Sequence, residues 1–347
     1  MKKAVYCILL FQFLVFYGLD AKNLHLKVLQ FNIWQEGTVV PGGFDAIIDE
    51  IIRTEADLVA LSEVRNYNNT SLDERMVKAL AAKGHTFYAR RGQDTGLLSR
   101  FPILSQEALF PVKNDQGSVT KAIIKVKGVE VAFYSAHLDY RNCSLYLPRG
   151  YDGSTWAKLP APITDTAIIA ADNLKSMRDE AIDTFIADAL QEISNGREVI
   201  FGGDFNEPSH LDWIEANKNL YDRNGVVMPW RNTLALSKAG FTDVYREIFP
   251  NPLTHPGFTF PADNILVPID KLAWAPDADD RDRIDFIFYY PGQRLKLKDV
   301  KIIGPIGSVV RNKRQPETSD DPIEEPPGIW PTDHKAVLAM FVLRVQG

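Results

Sequence analysis

The chain has 347 residues, 39 of them basic and 45 acidic, for a formal net charge of −6, with two cysteines and a 45% apolar content. The acidic balance argues against a protein that coats nucleic acid, since such proteins draw affinity from lysines and arginines that displace counterions. Two cysteines exclude a disulfide scaffold, and the apolar content excludes a chain too polar to build a core.

The first element in chain order is a leader. Lys2 and Lys3 precede an apolar run over residues 4–16, followed by Gly18, Asp20 and Ala21. The run is too short to span a bilayer and predicts a signal peptide, residues 1–21, cleaved near Ala21. Cys7 lies inside the apolar run rather than at its end after small residues, which does not suit a lipoprotein anchor. A secreted or periplasmic protein is expected, with no transmembrane segment in the mature chain. Cys143 is then its only cysteine, so no internal disulfide can form. Residues 22–347 show no shift in composition and read as a single domain of alternating strands and helices, an α/β pattern.

After the leader, apolar strands repeatedly end in reactive side chains. Residues 28–34 alternate like a strand and deliver Asn32 at its end. Helical spacing follows at Phe44, Ile47, Ile48, Ile51 and Ile52, and again over 72–82. Between them the apolar run 58–64 closes on Glu63, whose charge is costly at the end of a buried strand unless something positive, such as a hard cation, meets it. Residues 131–139 bring His137, and 173–193 has helical spacing. In Phe201-Gly202-Gly203-Asp204-Phe205-Asn206-Glu207-Pro208 the glycine pair should end a strand and expose Asp204 and Asn206 where α/β folds place their chemistry. Asp285 follows Arg283 in a further apolar run, and Asp333 and His334 stand side by side before the last strand. Apolar β-rich halves before about residue 138 and after about 197 predict two sheets packed face to face, with helices outside.

Taken in order, Asn32, Glu63, His137, Asp204, Asn206, Asp285, Asp333 and His334 form a set that resembles the endonuclease/exonuclease/phosphatase superfamily over about residues 24–345. The resemblance implies a four-layered α/β sandwich of two mixed sheets, and hydrolysis of phosphoric esters. Glu63 would be the leading metal ligand, with Asn32 and Asp333 beside it, for Mg²⁺ or Mn²⁺, because hard cations prefer oxygen. Asp204 would orient and deprotonate the attacking water, and Asn206 would hold that water or a phosphoryl oxygen. His334 would stabilise the pentavalent phosphoryl group with Asp285 behind its imidazole, and His137 would meet another phosphoryl oxygen.

Three long irregular stretches complete the reading: 141–170, 251–283 and 304–330. Loops of this length usually act as lids, and their aromatic and basic residues suit a compact phosphorylated substrate. Arg141, Tyr151, Trp156 and His255 are the candidate substrate contacts. His25, His85 and His210 read as surface or satisfied histidines, and Glu207 as the start of a helix through Pro208 and Ser209. The basic clusters Arg90-Arg91 and 311–314 read as solvated loops. The expected activity is that of a phosphodiesterase acting on a small or lipid-derived substrate such as sphingomyelin. An extracellular nuclease, and a non-catalytic binding protein on the same fold, stand as alternatives, and the oligomeric state is left open.

Overall fold

The structure is a computed structural model describing residues 21–346, so the predicted leader, save Ala21, lies outside the described residues. In chain order the elements begin with β1 (Ala21–Asn32), α1 (Gly43–Arg53), β2 (Leu58–Val64), α2 (Leu72–Ala82), β3 (Tyr88–Ala89), β4 (Asp94–Ser99), β5 (Ile103–Phe110), β6 (Gly117–Val126) and β7 (Val129–Leu138). There follow α3 (Thr166–Asn173), α4 (Arg178–Ser194), β8 (Glu198–Asp204), α5 (Arg231–Lys238), β9 (Thr242–Asp243), α6 (Val244–Ile248) and β10 (Asp285–Tyr289). The chain ends with β11 (Leu295–Ile303), β12 (Ser308–Val310), β13 (Lys313–Gln315), β14 (Ile323–Glu324) and β15 (Ala336–Gln346).

Two mixed sheets form the centre, one ordered β14-β11-β15-β1-β2-β4-β3 and the other β5-β6-β7-β8-β10-β9. Leu26, Val28, Leu58, Phe133, Ile200, Ile287 and Phe341 pack between them. Side chains of α1 and α2, among them Ile47, Ile48, Ile51 and Met76, cover the outer face of the first sheet, while Phe185 of α4 and Leu236 of α5 cover that of the second. The result is the expected four-layered α/β sandwich. The halves of the chain do not map one to each sheet, however. β15 pairs with β1 across the whole length of the described chain, and β5 to β7 join the sheet of β8. Apolar alternation marks a strand but carries nothing about its partner.

The sheet contact also explains the glycine pair, which lies inside β8 rather than ending it. A Cβ on Gly202 would sit 3.1 Å from the Ala60 Cβ and 3.4 Å from that of Gln30, so glycine lets the two sheets approach there. The helix expected over 173–193 is α4, which begins only at Arg178, and α3, capped by the Asp165 carboxylate, precedes it at the end of the stretch read as irregular. Glu207 starts no helix. It is fully buried and accepts from Asn173 Nδ2 at 2.5 Å and from the Asn232 backbone and side-chain nitrogens at 2.9 Å, tying α3 to α5.

Topology brings the reactive residues to one end of the sandwich. β1 runs parallel to β2 and β7 to β8, so their carboxyl ends point the same way. Their antiparallel neighbours β15 and β10 present amino ends there, with Asp285 paired to Asp204 in register and His137 paired to Asp204 on the other side.

Candidate active site

At that end lies a cavity of about 310 Å³, lined by Glu63, His137, Asp204, Asn206, Asp333 and His334 at its base and by aromatic side chains on its wall. Asn32 and Asp285 stand directly behind. All eight residues of the predicted chemical set therefore converge.

Asp204 is the hub. One carboxylate oxygen accepts from Asn32 Nδ2 at 2.9 Å and the other from the Asn206 backbone at 2.9 Å. Burial, and then the charge of Asp285, push its carboxyl above the usual range, although His334 and His137 pull the other way. A carboxylate so raised is a stronger base than a solvated one. His334 lies 3.8 Å from Asp204 through Nε2, while its Nδ1 donates to Asp285 at 2.8 Å. Burial disfavours its charged form, yet Asp285 and Asp204 outweigh burial and raise the imidazole well above its ordinary value. Gln30 Nε2 donates to the second Asp285 oxygen at 2.8 Å, which fixes the carboxylate from behind.

His137 is held in the same manner by a residue absent from the predicted set. Its Nδ1 lies 2.8 Å from Asp94, which also accepts from Arg65 at 3.0 Å and Ser118 Oγ at 3.0 Å. Burial works against protonation, but Asp94 overrides it and lifts His137 to about 9. At both histidines the partner carboxylate favours the protonated form of the ring that faces the cavity. Asn206, at a φ of +48°, turns its amide onto the Leu138 carbonyl at 3.0 Å and so stands over Asp204.

The three predicted metal ligands separate into two kinds. Glu63 is half-buried, with its oxygens accepting from Asn32 Nδ2 at 3.2 Å and the Gln35 backbone at 3.0 Å. Asp333 is buried, and among the described residues its carboxylate accepts one hydrogen bond, from Thr332 Oγ1 at 3.3 Å. Burial raises Asp333 to about 7, against His334 and with Glu63. Two carboxylates facing one cavity without a lysine or bidentate arginine are what a hard divalent cation would satisfy, so the residues fit such an ion. Asn32 is placed differently: its oxygen accepts from the Trp34 backbone at 2.9 Å and its nitrogen bridges Glu63 and Asp204. It orients the carboxylates. A second cluster, Asp204, Asp285 and His334, brings its ligand atoms within 4.8 Å of one another, with Asp285 and His334 Nδ1 already bonded to each other.

Of the four candidate substrate contacts, Trp156 lines the cavity. Arg141 does not: it turns back to grip both oxygens of Asp139, at 2.8 and 3.1 Å. Tyr151 is packed in the apolar cluster beneath the wall, its hydroxyl accepting from the Asp277 backbone. His255 stacks on Phe249 with ring centroids 4.5 Å apart, away from the cavity. Nor do the loops supply positive charge there. Arg149 is buried against Asp282 at 2.7 Å, and Lys158 pairs with Asp277 on the surface. The guanidinium at the cavity is Arg65, beside Asp94, Asp115 and Glu63. Neither Asp94 nor Arg65 had a local signal, since each acts across strands.

The profile of the Endonuclease/Exonuclease/phosphatase family matches residues 29–334, which spans every residue of this constellation. The chain belongs to that family. The endonuclease/exonuclease/phosphatase family acts on phosphoester bonds and generally uses divalent metals. The chain is 30% identical over 270 residues, 76% of its length and 78% of the other's, to the uncharacterized protein F14F9.5 of Caenorhabditis elegans. It shares its fold with the truncated TDP2 of Caenorhabditis elegans at 17% identity and a TM-score of 0.51, covering 91% of this chain and 97% of that one. D. rerio TDP2, solved with a single strand DNA product, is similar at 16% identity and a TM-score of 0.50, covering 91% and 98%. No helix among the described residues is long and apolar enough to cross a membrane.

Proposed function

We propose that the protein is a secreted or periplasmic, divalent-metal-dependent phosphodiesterase of a small or lipid-derived substrate. The observation that carries this reading is the cavity itself: an aromatic wall over two imidazoles and one guanidinium, in place of an open groove lined with lysines and arginines. In this reading Asp204 takes the proton of the attacking water while Asn206 holds that water in line. The His334 and His137 cations stabilise charge gathering on the phosphoryl oxygens, and Asp285 and Asp94 keep each ring oriented. Glu63 and Asp333 would hold a Mg²⁺ or Mn²⁺ ion, which supplies Lewis-acid polarisation of the phosphoryl group when bound.

The nuclease reading rests on the same wall, because tryptophans that close over a small substrate could also stack a base. The two readings part in an assay of the processed protein on phosphodiesters, phosphomonoesters, sphingomyelin and plasmid DNA with Mg²⁺ or Mn²⁺. Turnover of a small or lipid diester, nearly independent of salt, is expected; DNA as the best substrate, with activity falling steeply between low and physiological salt, would replace this reading with the nuclease. Glu63→Gln should weaken metal binding measured by calorimetry, and full activity after exhaustive chelation would remove the metal from the mechanism.

A further inference from the structure

The cavity wall holds an acid that the hydrolytic chemistry does not use. Asp280 is 1% exposed and lines the cavity. One of its oxygens accepts from the Ala275 backbone at 3.3 Å, and the other has no hydrogen-bond partner. Its neighbour Asp282 has charged partners, Arg149 at 2.7 Å and Arg223 at 3.1 Å, and accepts from Trp213 Nε1 at 2.9 Å. Beside Asp280 in the same wall, Trp156 packs edge-on to Tyr146 with centroids 5.1 Å apart, and Trp274 lies 5.1 Å from Trp156. Trp274 is 43% exposed, so this aromatic face is not closed by the protein's own packing.

A buried carboxylate with a free oxygen is destabilising unless a donor or cation meets it. Aromatic faces favour the same partner, because a positive group over an indole is attracted by the ring quadrupole. We propose that Asp280, Trp156, Trp274 and Tyr146 form a subsite for a cationic amine carried by the alcohol part of the phosphodiester. The inference rests on the phosphodiesterase reading for its substrate and deepens it, placing the phosphoryl group at the histidines and the ammonium group at the wall. Burial raises the Asp280 carboxyl to about 7, in the direction a site without its cation should show. A bound ammonium group would hold it ionised.

Binding separates this from turnover. The metal-loaded protein is titrated with phosphocholine, phosphoethanolamine, the uncharged isostere 3,3-dimethylbutyl phosphate and thymidine 5′-phosphate, read by tryptophan fluorescence. At least one of the two amines should bind roughly tenfold tighter than the isostere, the scale of a desolvated cation over aromatic rings. Preference for phosphocholine over phosphoethanolamine would identify a quaternary group, and the reverse a primary amine. Asp280→Asn should collapse the amine-to-isostere ratio toward one, and Trp274→Ala, at an exposed position that folding does not need, should reduce it as well. Equal binding of amine and isostere by the wild type, an unchanged ratio in both variants, or tighter binding of the nucleotide would each overturn the subsite. A parallel assay on bis-p-nitrophenyl phosphate, which carries no cation, and on sphingomyelin reports on the diesterase reading: turnover of either diester with no amine preference sinks the subsite alone, and turnover of neither sinks the diesterase whatever the titration shows.

Discussion

The strand-end site and the loops around it are built from the same residue types and treat their acids in opposite ways. In the loops and at the β9–α6 junction beside them, Asp212 takes Arg246 at 2.6 Å and Arg283 at 2.8 Å, Asp243 takes Arg283 at 2.7 Å, and Asp282 takes Arg149 and Arg223. Burial opposes ionisation at Asp212, but Arg246 and Arg283 outweigh it and hold the carboxyl below its usual range. At the strand ends no arginine pairs with Asp204, Asp285 or Asp333 within ion-pair distance; their partners are histidine, asparagine, glutamine and threonine, and Asp204 and Asp333 are pushed upward. Guanidinium saturates an acid and fixes a loop. Its absence leaves an acid able to take a proton or a cation.

The largest expected effect breaks the comparison at Asp204. Asp204→Asn keeps the shape and one of the two hydrogen bonds that the carboxylate accepts, from Asn32 Nδ2 and the Asn206 backbone, while removing its basicity. Turnover on the best diester should fall by roughly 10²–10⁴-fold, the range for a lost general base. The melting temperature should hold or rise, because a costly buried charge has gone. An unfolded or strongly destabilised Asp204→Asn would show that this acid is structural, like those in the loops.

The mirror experiment is Arg283→Met. Asp212 keeps Arg246, but Asp243 loses its guanidinium, and breaking a buried pair from one side costs about 3–5 kcal/mol of stability. Chemical denaturation should show that loss. Whatever fraction remains folded should retain turnover within a few-fold, since Arg283 serves the loop and not the cavity. A stability loss under about 1 kcal/mol would mean that water reaches these pairs and screens them as at a surface.

How far the chain could be read before its structure follows from the same contrast. Asp204 with Asn206, and Asp333 with His334, are neighbours in sequence at the ends of apolar runs, so strand periodicity alone brought them forward. The fold followed from the set as a whole. What stayed hidden depends on which strands and loops meet. Asp94 reaches His137 across the sheet, Gln30 reaches Asp285 between sheets, and Arg141 turns to Asp139 instead of the cavity. Alternation in sequence says that a side chain faces inward and is silent on what it faces. Only tertiary packing distinguishes Asp282, with two arginines, from Asp280, with none within ion-pair distance.

The last substitution tests whether Asp94 belongs to the site or to the scaffold, since it touches both His137 and Arg65. In Asp94→Asn the charge that overrides burial at His137 is gone, so its value should fall from about 9 to near or below the ordinary 6.5, which NMR titration of the imidazole can follow. The sign for stability follows. A histidine raised in the folded state contributes stability that is fully present below about pH 6.5 and is lost as pH rises through about 9. The wild type should therefore lose this contribution across that window, and the variant should be flatter there. Turnover near pH 7.5 should drop about tenfold as the ring becomes neutral, less than for Asp204, because His334 still supplies a cation at the phosphoryl group. A His137 value unmoved by the substitution would assign the proton to Asp204 and Glu63 instead, and would make Asp94 an anchor for Arg65, like the acids of the loops.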